Sequence, residues 1–241
     1  MTTAEKILRA KQDYDDVYEQ GKTDEYNKFW DAHQDSGKRV SYENGFVRWA
    51  DECLYPKYDI KPTGSCASVF FMCTVKGNLK QRFKDCGIVF DTSNVTSVNS
   101  MFQACYNLTV APEVDVLSVT SSLHNLYYNC SKLKEASIKN IKSNLVFSNT
   151  FRSCGELEIF NVEGEIGNSI DFQYSPLSKT SIINIIEHLY KDATGQTVTF
   201  SKTAINNAFG IDVDDETTYP EGSEFYELRY SKPNWNIAYA E

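Results

Sequence analysis

The residues that could do chemistry in this chain are seven cysteines, three histidines and one acidic run. Three cysteines share a frame: Phe102-Gln-Ala-Cys105-Tyr-Asn-Leu108, Tyr127-Tyr-Asn-Cys130-Ser-Lys-Leu133 and Phe151-Arg-Ser-Cys154-Gly-Glu-Leu157. No cysteine pair has the Cys-x-x-Cys spacing that tetrahedral zinc or a redox dithiol needs. Thiols on neighbouring strands about 4.8 Å apart could reach bonding distance. The odd count and the near-equal columns instead favour reduced thiols packed in a core, where a small apolar side chain fits a tight corner. Cys130 follows His124 by six residues, but the shared frame already explains Cys130 as packing rather than as a nucleophile. His33, His124 and His188 stand apart from one another and read as structural or exposed side chains. Asp212-Val-Asp-Asp-Glu216 alternates oxygen ligands as calcium loops do, yet lacks the central Gly and the twelfth-position Glu, and reads as a solvated acidic loop. No Gly-rich phosphate loop, Gly-x-Ser-x-Gly elbow or His-Glu-x-x-His motif is present. The expectation is a chain with no catalytic residue, no cofactor and no metal.

A frame of this kind needs elements to hold it. The chain's own frequencies of Phe+Tyr, Cys and Leu predict about 0.04 matches to aromatic-x-x-Cys-x-x-Leu, so three matches are not accidental. Their cysteines are 25 and 24 residues apart, inside the range of about 20 to 29 residues for leucine-rich and related repeats. Phe83-Lys-Asp-Cys86 and Phe70-Phe-Met-Cys73 are partial copies, and Phe172-Gln-Tyr-Ser175 is a degenerate one with Ser for Cys. Stacked repeats place equivalent residues in columns. The expected ladders are Phe83, Phe102, Tyr127 and Phe151; Cys86, Cys105, Cys130 and Cys154; and Leu108, Leu133 and Leu157. Runs at Val114–Val116, Ile138–Ile141 and Leu157–Phe160 are the candidate strands. The expected fold class is α+β: a short leucine-rich-repeat-like β-solenoid over residues 63–177, between an N-terminal helical module at 1–62 and an α/β cap at 178–241.

In the first module, Ile7, Ala10, Tyr14 and Val17 recur at helical spacing and Gly21 ends the run. Thr23 can cap a second helix whose face carries Tyr26, Phe29, Trp30 and His33. In the cap, Ser178 or Thr180 can start a helix with Ile182, Ile183, Ile185, Ile186 and Leu189 on its apolar face. Thr197–Phe200 alternates as a strand, Ser201 can cap a helix through Ala208, and Glu227–Tyr230 and Trp235–Tyr239 read as final strands.

The net charge of −9 gives no attraction to phosphate backbones or anionic lipid, so neither nucleic acid nor a membrane is an expected partner. No stretch of about 18 apolar residues exists, and the start lacks a basic region followed by an apolar core, so neither membrane insertion nor a signal peptide is expected. The acidity is local: residues 176–241 hold 5 basic and 10 acidic groups, against 9 and 10 in 63–175.

The three frames, with the connecting segment Val89–Met101, resemble the BspA-like leucine-rich repeat proteins of gut bacteria and their phages or prophages. The flanks Asp24-Glu-Tyr-Asn-Lys-Phe-Trp30 and Ser175-Pro-Leu-Ser-Lys-Thr-Ser-Ile-Ile183 are similar to modules of such proteins. The resemblance implies a non-enzymatic recognition or adhesion protein that binds a protein or glycan on a cell surface. A phage or prophage tail-associated protein fits it, virion-bound or cytoplasmic before assembly. Tyr106 and Tyr128 are the candidate contacts, since aromatic residues contribute disproportionately at interfaces. The alternative is an assembly component that forms a homo-oligomer through the aromatic helices of residues 3–36.

Overall fold

The computed structural model describes residues 61, 63–70, 77–85, 87 and 89–240. Residues 1–60 of the expected N-terminal helical module, with the homo-oligomer surface at 3–36 and His33, and the cysteines Cys73 and Cys86 lie outside the described residues. The elements run β1 (Gly64–Ser65), β2 (Gly77–Asn78), α1 (Leu79–Asp85), β3 (Val95–Ser97), β4 (Leu108–Val110), β5 (Val114–Asp115), β6 (Glu135–Ile141), β7 (Ile159–Gly164), β8 (Ile170–Phe172), α2 (Lys179–Glu187), β9 (Gln196–Ser201), α3 (Lys202–Phe209), α4 (Glu224–Tyr230) and β10 (Trp235–Ala240).

The fold is α+β, but it is not the leucine-rich-repeat-like solenoid that the spacing predicts. Its parallel strands form a curled half-barrel with four helices among the described residues. They divide into three sheets rather than one: β1 with β3, a five-stranded sheet around β6, and β8, β9 and β10 with β9 central. Three local features break the regularity. Pro112 carries no N–H for a ladder, and it separates β4 from β5, which then pair in turn with one edge of β6, Val110 opposite Glu135 and Val114 opposite Ile138. The register of β6 with β7 slips between Ile138 and Ile141, where Asn140 (φ 59°) and Gly164 (φ 112°) take left-handed backbone. A bulge of this kind bends the strand and increases its twist. Strand lengths also vary from two to seven residues, so successive turns do not superpose as one sheet.

Helix α2 covers the outer edge of β7, whose unpaired N–H groups would otherwise face another chain. Ser181 and Asn184 supply the missing acceptors: Phe160 N donates to Ser181 Oγ at 3.1 Å and Val162 N to Asn184 Oδ1 at 3.0 Å. The helix starts at Ser178, whose hydroxyl accepts from Ser181 N, and buries Ile182, Ile185 and Ile186. It ends with His188 as its C-cap, one residue short of the expected apolar position Leu189. In the third sheet the strands are parallel, so each connection must cross over, and helices supply the crossovers. β8 reaches β9 through α2, and β9 reaches β10 through α3 and α4. Ser201 closes β9 and caps α3 by accepting from Ala204 N. Glu227–Tyr230, read as a strand from its sequence, belongs instead to α4. Ser223 caps that helix and Glu224 sits in its first turn, where the macrodipole favours negative charge. No helix of the described residues is long and apolar enough to cross a membrane.

Candidate recognition surface

The repeated frames build a buried spine. Rings stack in the order Phe70, Phe102, Tyr127, Phe151, Phe172 and Phe200, with successive centroids 4.9, 5.6, 5.6, 4.9 and 6.1 Å apart. Beside the rings, each thiol donates to the carbonyl of an aromatic residue in an earlier frame: Cys105 to Phe70 at 3.0 Å, Cys130 to Phe102 at 2.9 Å and Cys154 to Tyr127 at 3.1 Å. Ser175, in the place of a fourth cysteine, donates instead to the Cys154 carbonyl at 3.3 Å. Leu108, Leu133 and Leu157 are buried below, and each returns its N–H to the cysteine carbonyl three residues before it. Phe83 does not join this column. It lies on α1 and stacks on Phe90 at 5.5 Å, because the chain before it is helical rather than a turn.

The turns that carry the frames use left-handed backbone twice each, at Ser100 and Ala104, Asn125 and Asn129, and Asn149 and Ser153. Asn tolerates that region better than most residues because its short side chain can bond locally. Adjacent turns are tied by main-chain bonds such as Phe102 N to Leu126 O (2.9 Å) and Tyr127 N to Thr150 O (3.0 Å). The core below is therefore fixed by hydrogen bonds as well as by packing.

Burial pushes the Cys130 thiol well above its ordinary value and Cys154 up to about 12. His124 is exposed while Cys130 is buried with its hydrogen on the Phe102 carbonyl, so burial opposes the thiolate that a nucleophile needs. The raised values also set a pH dependence. The unfolded chain loses the Cys154 proton near about pH 8.5, whereas the folded chain keeps it until about 12. Protons then favour the native state, so stability is complete below the lower value and falls as pH rises through that window. Urea unfolding at increasing pH is expected to show a steeper alkaline loss for the native chain than for Cys154→Ala. Parallel profiles would contradict this.

On the surface, Tyr106 is 45% exposed and Tyr128 is half-buried. The acidic run is engaged in its own loop: Asp212 Oδ1 accepts from Asp214 N, Asp215 Oδ1 from Thr217 N, and Asp214 pairs with Lys202. Among the described residues, no three His, Cys, Asp or Glu side chains gather as a metal site requires. His188 caps α2, with Nδ1 2.8 Å from the Asn184 carbonyl.

Two clefts are lined by the described residues. One, of about 390 Å³, lies between Ser148, Asn168, Asp171 and Thr197, and part of its polar lining is already engaged. Asp171 accepts from Gln173, and Ser169 donates to Gln196 and accepts from Thr197 N. The other, of about 320 Å³, lies between α3 and the turns bearing Gly155 and Tyr174. There Tyr174 is 47% exposed. Neither the frame spacing nor the composition pointed to this second cleft. The one available signal was Tyr174 itself, inside the degenerate copy Phe172-Gln-Tyr-Ser175.

Comparison with protein-family models, with curated proteins and with solved structures finds no match to this chain.

Proposed function

We propose that this protein is a non-enzymatic recognition module that presents a rigid surface to a protein or glycan on a cell surface. The observation that carries this reading is the spine. Six stacked rings and three thiol-to-carbonyl bonds hold the turns from within, and those turns display exposed Tyr106 and half-buried Tyr128 outside. A surface ordered before contact loses little entropy on binding. The resemblance of the aromatic-x-x-Cys-x-x-Leu frames to BspA-like proteins supports the same class, independently of the solenoid architecture, and a phage or prophage tail is one setting for such a surface.

The test is binding of the fluorescently labelled chain to whole bacterial and epithelial cells, with Tyr106→Ala and Tyr128→Ala alongside. Saturable binding weakened about tenfold or more by one of the two variants is the expected result. No saturable binding to any cell type would overturn the reading.

A further inference from the structure

We propose that the cleft between α3 and the Gly155 and Tyr174 turns binds a neutral saccharide, an inference that rests on the recognition reading and names its ligand class. At about 320 Å³ the cleft falls in the size range of small-ligand sites. Its composition divides as a sugar requires. Tyr174 is exposed and lines the cleft, so its ring can pack against the apolar C–H face of a pyranose and its hydroxyl can bond the sugar's own. Leu177 and Ala204 are buried and form an apolar floor. Thr203 and Asn207 stand one helical turn apart on α3, so both project from the same face.

These polar groups are available. Among the described residues, the side chains of Tyr174, Thr203 and Asn207 have no hydrogen-bond partner. All three residues are exposed, so water serves their hydroxyl, amide and phenol, and the hydroxyls of a sugar can take the place of that water bond for bond. The cleft is also electrically neutral. Lys179, at its edge, is committed to Glu224 at 2.5 Å and lies over the Phe209 ring. An anionic ligand would have no unpaired cation there. A peptide that binds by adding a strand would need a strand edge, and the walls are instead a helix face and two turns. A neutral polyhydroxyl ring satisfies both limits.

Gly155 provides the sharpest handle. A side chain at this position would meet nothing within 4 Å of its Cβ, and its backbone is not left-handed. Gly155→Trp should therefore fold normally while filling the mouth of the cleft. Saturation-transfer NMR with maltose, cellobiose, lactose and N,N′-diacetylchitobiose is the direct test, using the full chain and checking each variant by circular dichroism. At least one sugar is expected to bind with a dissociation constant of about 1 mM or tighter. Tyr174→Ala and Gly155→Trp should each weaken it about tenfold or more, and Tyr106→Ala should leave it unchanged. Two results would overturn the inference: no saturable binding of any of the four sugars below about 10 mM, or binding that both cleft variants leave intact. Whole-cell binding that persists in either case would leave the recognition reading standing, so the two failures are distinguishable.

Discussion

Replacing Gly164 or Gly167 with alanine is expected to cost at least about 3 kcal/mol of folding stability, a loss reserved for changes that force backbone strain or overpacking. Gly164 ends β7 against the last residue of β6, and Gly167 follows where the next stretch of chain runs against the backbone beyond β6. A Cβ at Gly164 would drive into the main chain of Ile141, its register partner, and one at Gly167 into the carbonyl of Ser143. Backbone atoms cannot rotate away as a flexible side chain can. Gly164 carries a second penalty, because its φ of 112° lies in a region that L side chains rarely adopt. The bonds at risk are specific: Glu165 N to Ile141 O at 2.9 Å and Asn168 Nδ2 to Ser143 O at 3.2 Å. Gly155→Ala is the control, since it has open space and ordinary backbone, and its effect should stay within about 0.5 kcal/mol. Urea denaturation of the three variants decides the matter. Equal midpoints for Gly155→Ala and Gly167→Ala would refute the close-approach argument.

Those glycines also show why the sheet arrangement was not legible in the sequence. The 24- and 25-residue spacing of Cys105, Cys130 and Cys154 does encode equal path lengths between turns, and the ring and thiol columns follow from it. Equal path length does not determine which strands pair or where a register slips. Those depend on Pro112, Asn140 and Gly164, single residues whose effect on sheet geometry shows only once the neighbouring strand is in place. The third sheet was easier to read because its signals are local. Ser178 and Ser201 each sit at the boundary where a short polar acceptor precedes an amphipathic run, and the structure uses both as helix caps. The misreading of Glu227–Tyr230 as a strand has the same origin. Four alternating residues fit either period, and the Ser223 cap that decides the case lies outside the window. Residue type and the spacing to Cys86 place Phe83 in the ladder, but α1 carries it to Phe90 instead. The saccharide cleft was invisible for a different reason. Thr203 and Asn207 come from a helix, and Tyr174 and Gly155 from two separate turns, so no linear spacing joins them.

The ring column makes a second prediction of large effect, with an internal contrast of sign. Phe151 is 1% exposed and touches three other rings: Tyr127 at 5.6 Å, Phe172 at 4.9 Å and Phe160, edge to face, at 4.7 Å. Phe160 lies on β7 and Phe172 on β8, so this one side chain links the five-stranded sheet to the three-stranded sheet. Phe151→Ala removes the buried ring and leaves a cavity between rings that cannot collapse without breaking the turn bonds around them, at a cost of about 3 to 5 kcal/mol. The neighbouring Tyr127 should behave oppositely under a smaller change. It is fully buried between Phe102 and Phe151, and among the described residues its hydroxyl has no hydrogen-bond partner. The other five rings of the column are phenylalanines. Burying an unsatisfied hydroxyl costs about 1 to 3 kcal/mol, none of it returned by packing that Phe would not also supply. Tyr127→Phe is therefore expected to stabilise the fold by on the order of 1 kcal/mol, while Phe151→Ala lowers its urea midpoint sharply. A destabilised Tyr127→Phe would mean that the hydroxyl has a bonding role, and a Phe151→Ala loss below about 1 kcal/mol would mean that the two sheets do not depend on the column for their docking.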